Sequence, residues 1–158
     1  EALTKELGVS RAEAEELQER FFGAFPRVRE WIAAQQQQTI TTGVVTTPFG
    51  RKRRFELITP ENRSEVLRQA VNTPIQSVAS DITLSALIRM GHKLLGNNDT
   101  RLLLTVHDSI LVETREDPVE VARWMRYQMI DYALDGSVPF DADAKMGPKW
   151  GSLEEVKL

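Results

Sequence analysis

Cysteine is absent from the 158 residues, which excludes disulfide staples and thiolate metal sites. An intracellular setting is compatible with that composition. No apolar run approaches the roughly 20 residues that a membrane-spanning helix needs. No basic-then-apolar opening stretch of secretory type is present, and no membrane partner is expected. A surplus of one charge is also lacking. Lys and Arg number 20 against 23 Asp and Glu, for a net charge of −3. The chain is therefore not a globally basic nucleic-acid binder, although local basic surface is what binding uses. Histidine occurs only twice, which limits imidazole metal sites. The chain opens on Glu1 rather than Met, so processing or origin as a fragment of a longer protein is expected.

What is present reads as alternating helical and strand patterns. Ser10 followed by Glu13 is a capping-box signature and predicts a helix over 11–22. Gly23 and Pro26 break it, and a second helix runs over 26–41 until Gly43. Val44 to Thr47 suit a strand, Pro48-Phe49-Gly50 is turn chemistry, and Arg51 to Phe55 return as the partner strand. A helical pattern then extends over 63–95, with Leu67, Val71, Ile75, Val78 and Ile82 spaced by three or four. Pro74 inside it predicts a kink. Gly96 to Asp99 close that helix. Arg101 to Thr114 form a second hairpin around His107-Asp108-Ser109. Asp117 and Pro118 start a last helix, expected over 118–134. A strand over 140–146 and a tail holding Trp150 and Leu153 complete the reading. The fold class expected is α+β.

Three features carry chemistry. Asp108 stands beside His107 between two apolar strands, where a carboxylate is costly unless it is paired or binds a metal. It is either a plain turn aspartate or a hard oxygen ligand for Mg²⁺. Arg68, Asn72 and Gln76 recur every four residues and share one helix face. The guanidinium suits phosphate and the amides suit base edges or sugars, but an ordinary solvated face has the same spacing. Arg51-Lys52-Arg53-Arg54 on the first hairpin either meets phosphate backbone or solubilises a loop.

In order and separation, these stretches resemble the A family of DNA polymerases, the bacterial polymerase I type. The resemblance rests on Phe25-Pro26-Arg27-Val28-Arg29-Glu30-Trp31 and on Thr47-Pro48-Phe49-Gly50-Arg51-Lys52-Arg53. It continues through Arg68…Asn72-Thr73-Pro74-Ile75-Gln76 and Val106-His107-Asp108-Ser109, covering about residues 7–150. It implies that residues 1–42 belong to the fingers. Residues 43–158 would then form the C-terminal part of the palm, an antiparallel sheet with a catalytic hairpin packed by long helices. By the same resemblance, Asp108 is a catalytic metal ligand and His107 lies beside the primer terminus. Arg68, Asn72 and Gln76 contact template and primer, and Arg51, Lys52 and Arg53 touch DNA. The implied reaction is template-directed DNA synthesis by two-metal nucleotidyl transfer. Its cofactors are two Mg²⁺ ions and its partners primer–template DNA and deoxynucleoside triphosphates, in the cytoplasm of a bacterial or phage-infected cell.

Two departures qualify the match. Ser109 stands where the family usually has Glu, which removes a nearby negative charge. The family's other metal aspartate and its nucleotide-gripping fingers helix are not found in this sequence. One carboxylate cannot complete a two-metal site. The chain is therefore expected to be inactive alone, and to need the missing N-terminal polymerase portion or self-association. Two rivals remain. HD phosphohydrolases also use a His-Asp pair, but on a helix and with further histidines, whereas only His92 and His107 exist here. A non-catalytic nucleic-acid-binding or assembly piece that keeps the palm shape is the other.

Overall fold

A computed structural model of the chain describes residues 2–130 and 139–158. They divide into two compact units at Ile75 and Gln76. The mixture of helices and short antiparallel strands is the α+β class expected.

The first unit opens with a short helix, α1 (Ala2–Leu7), for which the sequence reading made no provision. Helix α2 (Arg11–Ala24) starts as its capping box predicts. The Ser10 hydroxyl accepts from the Glu13 amide at 3.3 Å, and the Glu13 carboxylate accepts from the Ser10 amide at 2.8 Å. The reciprocal pair satisfies two backbone donors that a helix start leaves open. Replacing Ser10 with Ala is expected to cost about 1 kcal/mol and to lower Tm by about 2–4 °C, read by thermal denaturation. An unchanged Tm would mean that this end contributes nothing to folding.

Helix α3 (Pro26–Thr42) has Pro26 at its start and ends on Gly43, whose left-handed φ of 67° closes the helix. The chain leaves directly into β1 (Val44–Thr46), which pairs antiparallel with β2 (Lys52–Arg54), Val45 opposite Arg53. The turn between them is held by Thr47. Its amide donates to Arg51 O at 2.9 Å, and its carbonyl accepts from the Gly50 amide at 2.8 Å. Val45 and Thr47 are buried while β2 is exposed along its length. The hairpin thus has an inner strand and a basic outer one.

Helix α4 (Arg63–Leu94) begins in the first unit and ends in the second. Pro74 lies within it without ending it. The buried positions of its first half are Val66, Ala70 and Pro74, four apart. Ile75, read from the sequence among the apolar positions, is 60% exposed. In the second half Ile82, Ala86 and Met90 are buried.

The second unit also holds β3 (Thr100–Val106) and β4 (Ser109–Thr114), an antiparallel pair with an irregularity between Leu102 and Leu104. Leu102 faces Val112 and Leu104 faces Leu111, so Leu103 is the extra residue of a bulge. At the base of the hairpin, buried Thr100 hydrogen bonds to both Thr114 and Glu116 through its hydroxyl. Helix α5 (Pro118–Ile130) is capped by Asp117, whose carboxylate accepts from the Val119 amide at 2.8 Å. The helix end expected near Leu134 lies outside the described residues.

The strand expected over 140–146 is shorter than its sequence suggests: β5 covers Ala144–Met146. Asp141 is drawn out of it, because its carboxylate accepts from the Ala142 amide at 2.8 Å and from Arg126 at 2.6 Å. Arg126 first, and the Ala142 amide after it, hold the Asp141 carboxyl below its ordinary range. The pair is thus intact at neutral pH and is lost only as acid titrates through that lowered value. A 3-10 turn at Trp150–Ser152 leads into β6 (Glu154–Val156), which pairs antiparallel with β5 and had no counterpart in the sequence reading. Among the described residues the strands form three separate two-stranded pairs.

Candidate functional site

The His107-Asp108 turn is tighter than its sequence suggests. Ser109, expected in the turn, instead opens β4 and pairs with Val106, so only two residues make the connection. Among the described non-glycine residues, His107 alone has a positive φ, 55°. Positive φ at the first turn residue but not the second is the sign pattern of a type II′ turn, where glycine is usual. A histidine held there is strained, and such strain collects at functional sites. The Ser109 hydroxyl donates to Val106 O at 2.8 Å and ties the two strands together beside the turn. The serine that departs from the family pattern therefore fastens the turn.

His107 and Asp108 are both exposed. This corrects the picture of a carboxylate at a buried sheet rim, since the apolar strands leading to the turn are themselves open. Leu103 is 52% exposed, Leu104 38% and Val106 39%. The Asp108 carboxylate stands on a short, conformationally fixed support, reachable from solvent. A hard oxygen donor so placed fits one position in the coordination of a divalent cation. The described residues contain no group of three or more His, Asp or Glu able to hold a metal by themselves.

The polar row of α4 is present on the helix predicted for it. Arg68, Asn72 and Gln76 are all exposed. Arg68 and Asn72 line a cavity of about 370 Å³ between α3 and the first half of α4. Ile32 and Gln36 form its α3 side, and Leu67 and Val71 give it an apolar floor. A planar group could rest on such a floor with amide and guanidinium at its edge.

Arg51 and Lys52 are exposed beside the Thr47–Gly50 turn. Arg53 is engaged by its own chain. One guanidinium nitrogen donates to the Thr73 hydroxyl at 3.0 Å, the other to Gln69 Oε1. The group also lies 5.1 Å from the Phe55 ring centre. The fork that the sequence reading offered to phosphate is thus turned onto α4. Gln69 and Thr73 were missed as partners. The available signal was their four-residue spacing, one position along from Arg68 and Asn72.

Arg51, Lys52, Arg53, Arg68 and Asn72 belong to the first unit, and Gln76, His107 and Asp108 to the second.

The family model of DNA polymerase family A matches residues 1–152. The chain is 35% identical over 153 residues to the thermostable DNA polymerase I of Thermus filiformis, covering 94% of this chain and 18% of that protein. It is 34% identical over 152 residues to DNA polymerase I of Bacillus subtilis, covering 94% and 17%. A solved structure, the polymerase domain of Pol1 from M. smegmatis in complex with DNA primer–template and dNTP, superposes with a TM-score of 0.75 at 31% identity. That match covers 87% of this chain and 25% of the other. The chain thus spans less than a fifth of the length of these curated relatives.

Proposed function

The chain belongs to DNA polymerase family A, and from that premise we propose that it supplies the C-terminal part of a polymerase site for template-directed DNA synthesis. Residues 1–42 act as part of the fingers and 43–158 as part of the palm. The observation that carries the reading is Asp108, an exposed carboxylate on a strained two-residue turn. It follows in sequence a helix with an exposed Arg68, Asn72 and Gln76 row.

In this reading Asp108 is one ligand of a pair of Mg²⁺ ions, which supply activation of the primer 3′-hydroxyl and charge neutralisation at the leaving pyrophosphate. His107 lies beside the primer terminus. Arg68, Asn72 and Gln76 hydrogen bond to template and primer, holding the reacting ends in line. Arg51 and Lys52 meet the phosphate backbone. Completing the metal site takes carboxylates from outside this chain. The exposed Leu103, Leu104 and Val106 support a docking partner there, either the rest of a polymerase or a second copy. The setting is the cytoplasm, where the template lies; no helix of the described residues is long and apolar enough to cross a membrane.

Titration of a labelled primer–template with the chain at rising salt tests the binding half. Affinity is expected in the micromolar range or weaker, falling steeply between about 50 and 200 mM salt. No binding in low salt at protein concentrations of about 100 µM would overturn the reading.

A further inference from the structure

Three neighbouring rows of α4 have three different fates within the first unit. Val66, Ala70 and Pro74 are buried. Arg68 and Asn72 are exposed at the α3–α4 cavity. Between these rows run Glu65, Gln69 and Thr73, of which Gln69 and Thr73 receive Arg53 from β2. The Gln69 amide is fixed from both ends. Its nitrogen donates to Glu65 Oε1 at 2.9 Å, which leaves its oxygen facing the Arg53 guanidinium. Thr73 accepts the second branch of the fork at 3.0 Å, and Phe55 lies against the group. Two residues of α4 and Phe55 beside β2 thus meet one side chain, and Glu65 orients one of them. This is more than an arginine reserved for phosphate would need.

We propose that Arg53 is a positioning residue: its guanidinium seats the basic hairpin on α4, fixing where Arg51 and Lys52 stand beside the Arg68–Asn72 row. The hairpin is only three residues deep on each strand, and β2 is exposed throughout. Such a short pair is marginal alone. Anchored at Arg53, it presents its turn and outer strand in one orientation. A duplex backbone and a base edge can then be met together without ordering a loop first. The consequence for DNA rests on the reading above; the seating does not.

The test separates removal of the charge from removal of the seat. Arg53→Ala takes away the guanidinium. The paired change Gln69→Leu with Thr73→Val keeps every positive charge and removes what Arg53 grips, along with the Gln69–Glu65 bond. Both are expected to weaken primer–template binding by about five- to tenfold, and their combination by no more than either alone, since they break one unit. Arg53→Lys is expected to rescue poorly, because an ammonium cannot span two acceptors. A Gln69→Leu/Thr73→Val protein that binds like wild type overturns the proposal. If Arg53→Ala then also lowers the salt slope by about one unit, Arg53 is a direct phosphate ligand. Additive losses overturn it as well.

Hydrogen exchange decides the seating without DNA. The Phe55 amide donates to Gly43 O at 2.8 Å and the Thr47 amide to Arg51 O at 2.9 Å. Both amides are expected to exchange at least about tenfold faster in either variant, with the second unit unaffected. Unchanged protection overturns the proposal. If wild type does not bind DNA, the polymerase reading falls while the exchange result still decides the seating.

Discussion

Asp108→Ala, introduced into an assembled family A polymerase domain carrying this segment, is expected to lower primer extension by about a thousandfold or more. Losing a metal carboxylate removes several kcal/mol of charge stabilisation in the transition state, and each 1.36 kcal/mol is tenfold in rate. Binding of primer–template should change by less than about threefold, because affinity comes from phosphate contacts elsewhere. Asp108→Asn keeps the shape of the turn and is expected to be nearly as inactive, since an amide is a poor ligand for a hard cation. This split between catalysis and binding is the discriminating result. Synthesis at the wild-type rate in Asp108→Ala would identify the chain as a nucleic-acid-binding piece whose catalytic carboxylates lie elsewhere. Loss of binding together with synthesis would point to collapse of the hairpin rather than loss of a ligand.

Gly147→Ala is expected to destabilise the C-terminal pair β5–β6 by about 2–3 kcal/mol, the range for forcing a methyl into occupied space. The 3-10 turn before β6 folds back over Gly147. A Cβ there would sit 2.2 Å from the Ser152 carbonyl oxygen and 3.0 Å from its carbon. These are backbone atoms, and the Ser152 amide is itself bonded to Lys149 O at 2.9 Å, so the turn cannot simply swing away. Gly151→Ala is the matched control, since an added Cβ meets nothing within 4 Å there. Hydrogen exchange over 144–156 reads both. Equal protection in the two variants would show that the turn yields without cost.

The features legible in the sequence were those whose physics is local. The Ser10–Glu13 box, Gly43 at the end of α3, Asp117 before Pro118 and the Pro48–Gly50 turn each act within four residues, and each appears where expected. The Arg68, Asn72, Gln76 row was legible for the same reason. What escaped depends on distant partners. β6 reads Glu-Glu-Val, poor strand chemistry, and exists because β5 pairs with it. Asp141 leaves its expected strand for Arg126, fifteen residues away. The intramolecular partners of Arg53 escaped because its acceptors lie sixteen and twenty residues on. The strain at His107 escaped because it follows from how two strands count against each other.

That count turns on Leu103. Were the pairing that sets Leu102 against Val112 to continue unbroken, Thr105 would meet Ser109 and a loop of three residues, Val106 to Asp108, would close the hairpin. The bulge shifts β3 by one and leaves two. A three-residue loop places its left-handed residue at the end; a two-residue loop demands it at the start. One leucine midway along β3 therefore chooses which residue bears the unfavourable backbone, and relieves Asp108 of it. Letting Leu103 pair with Leu111 would act on the aspartate as a change of reading frame acts on a codon, altering what the same letters mean without touching them.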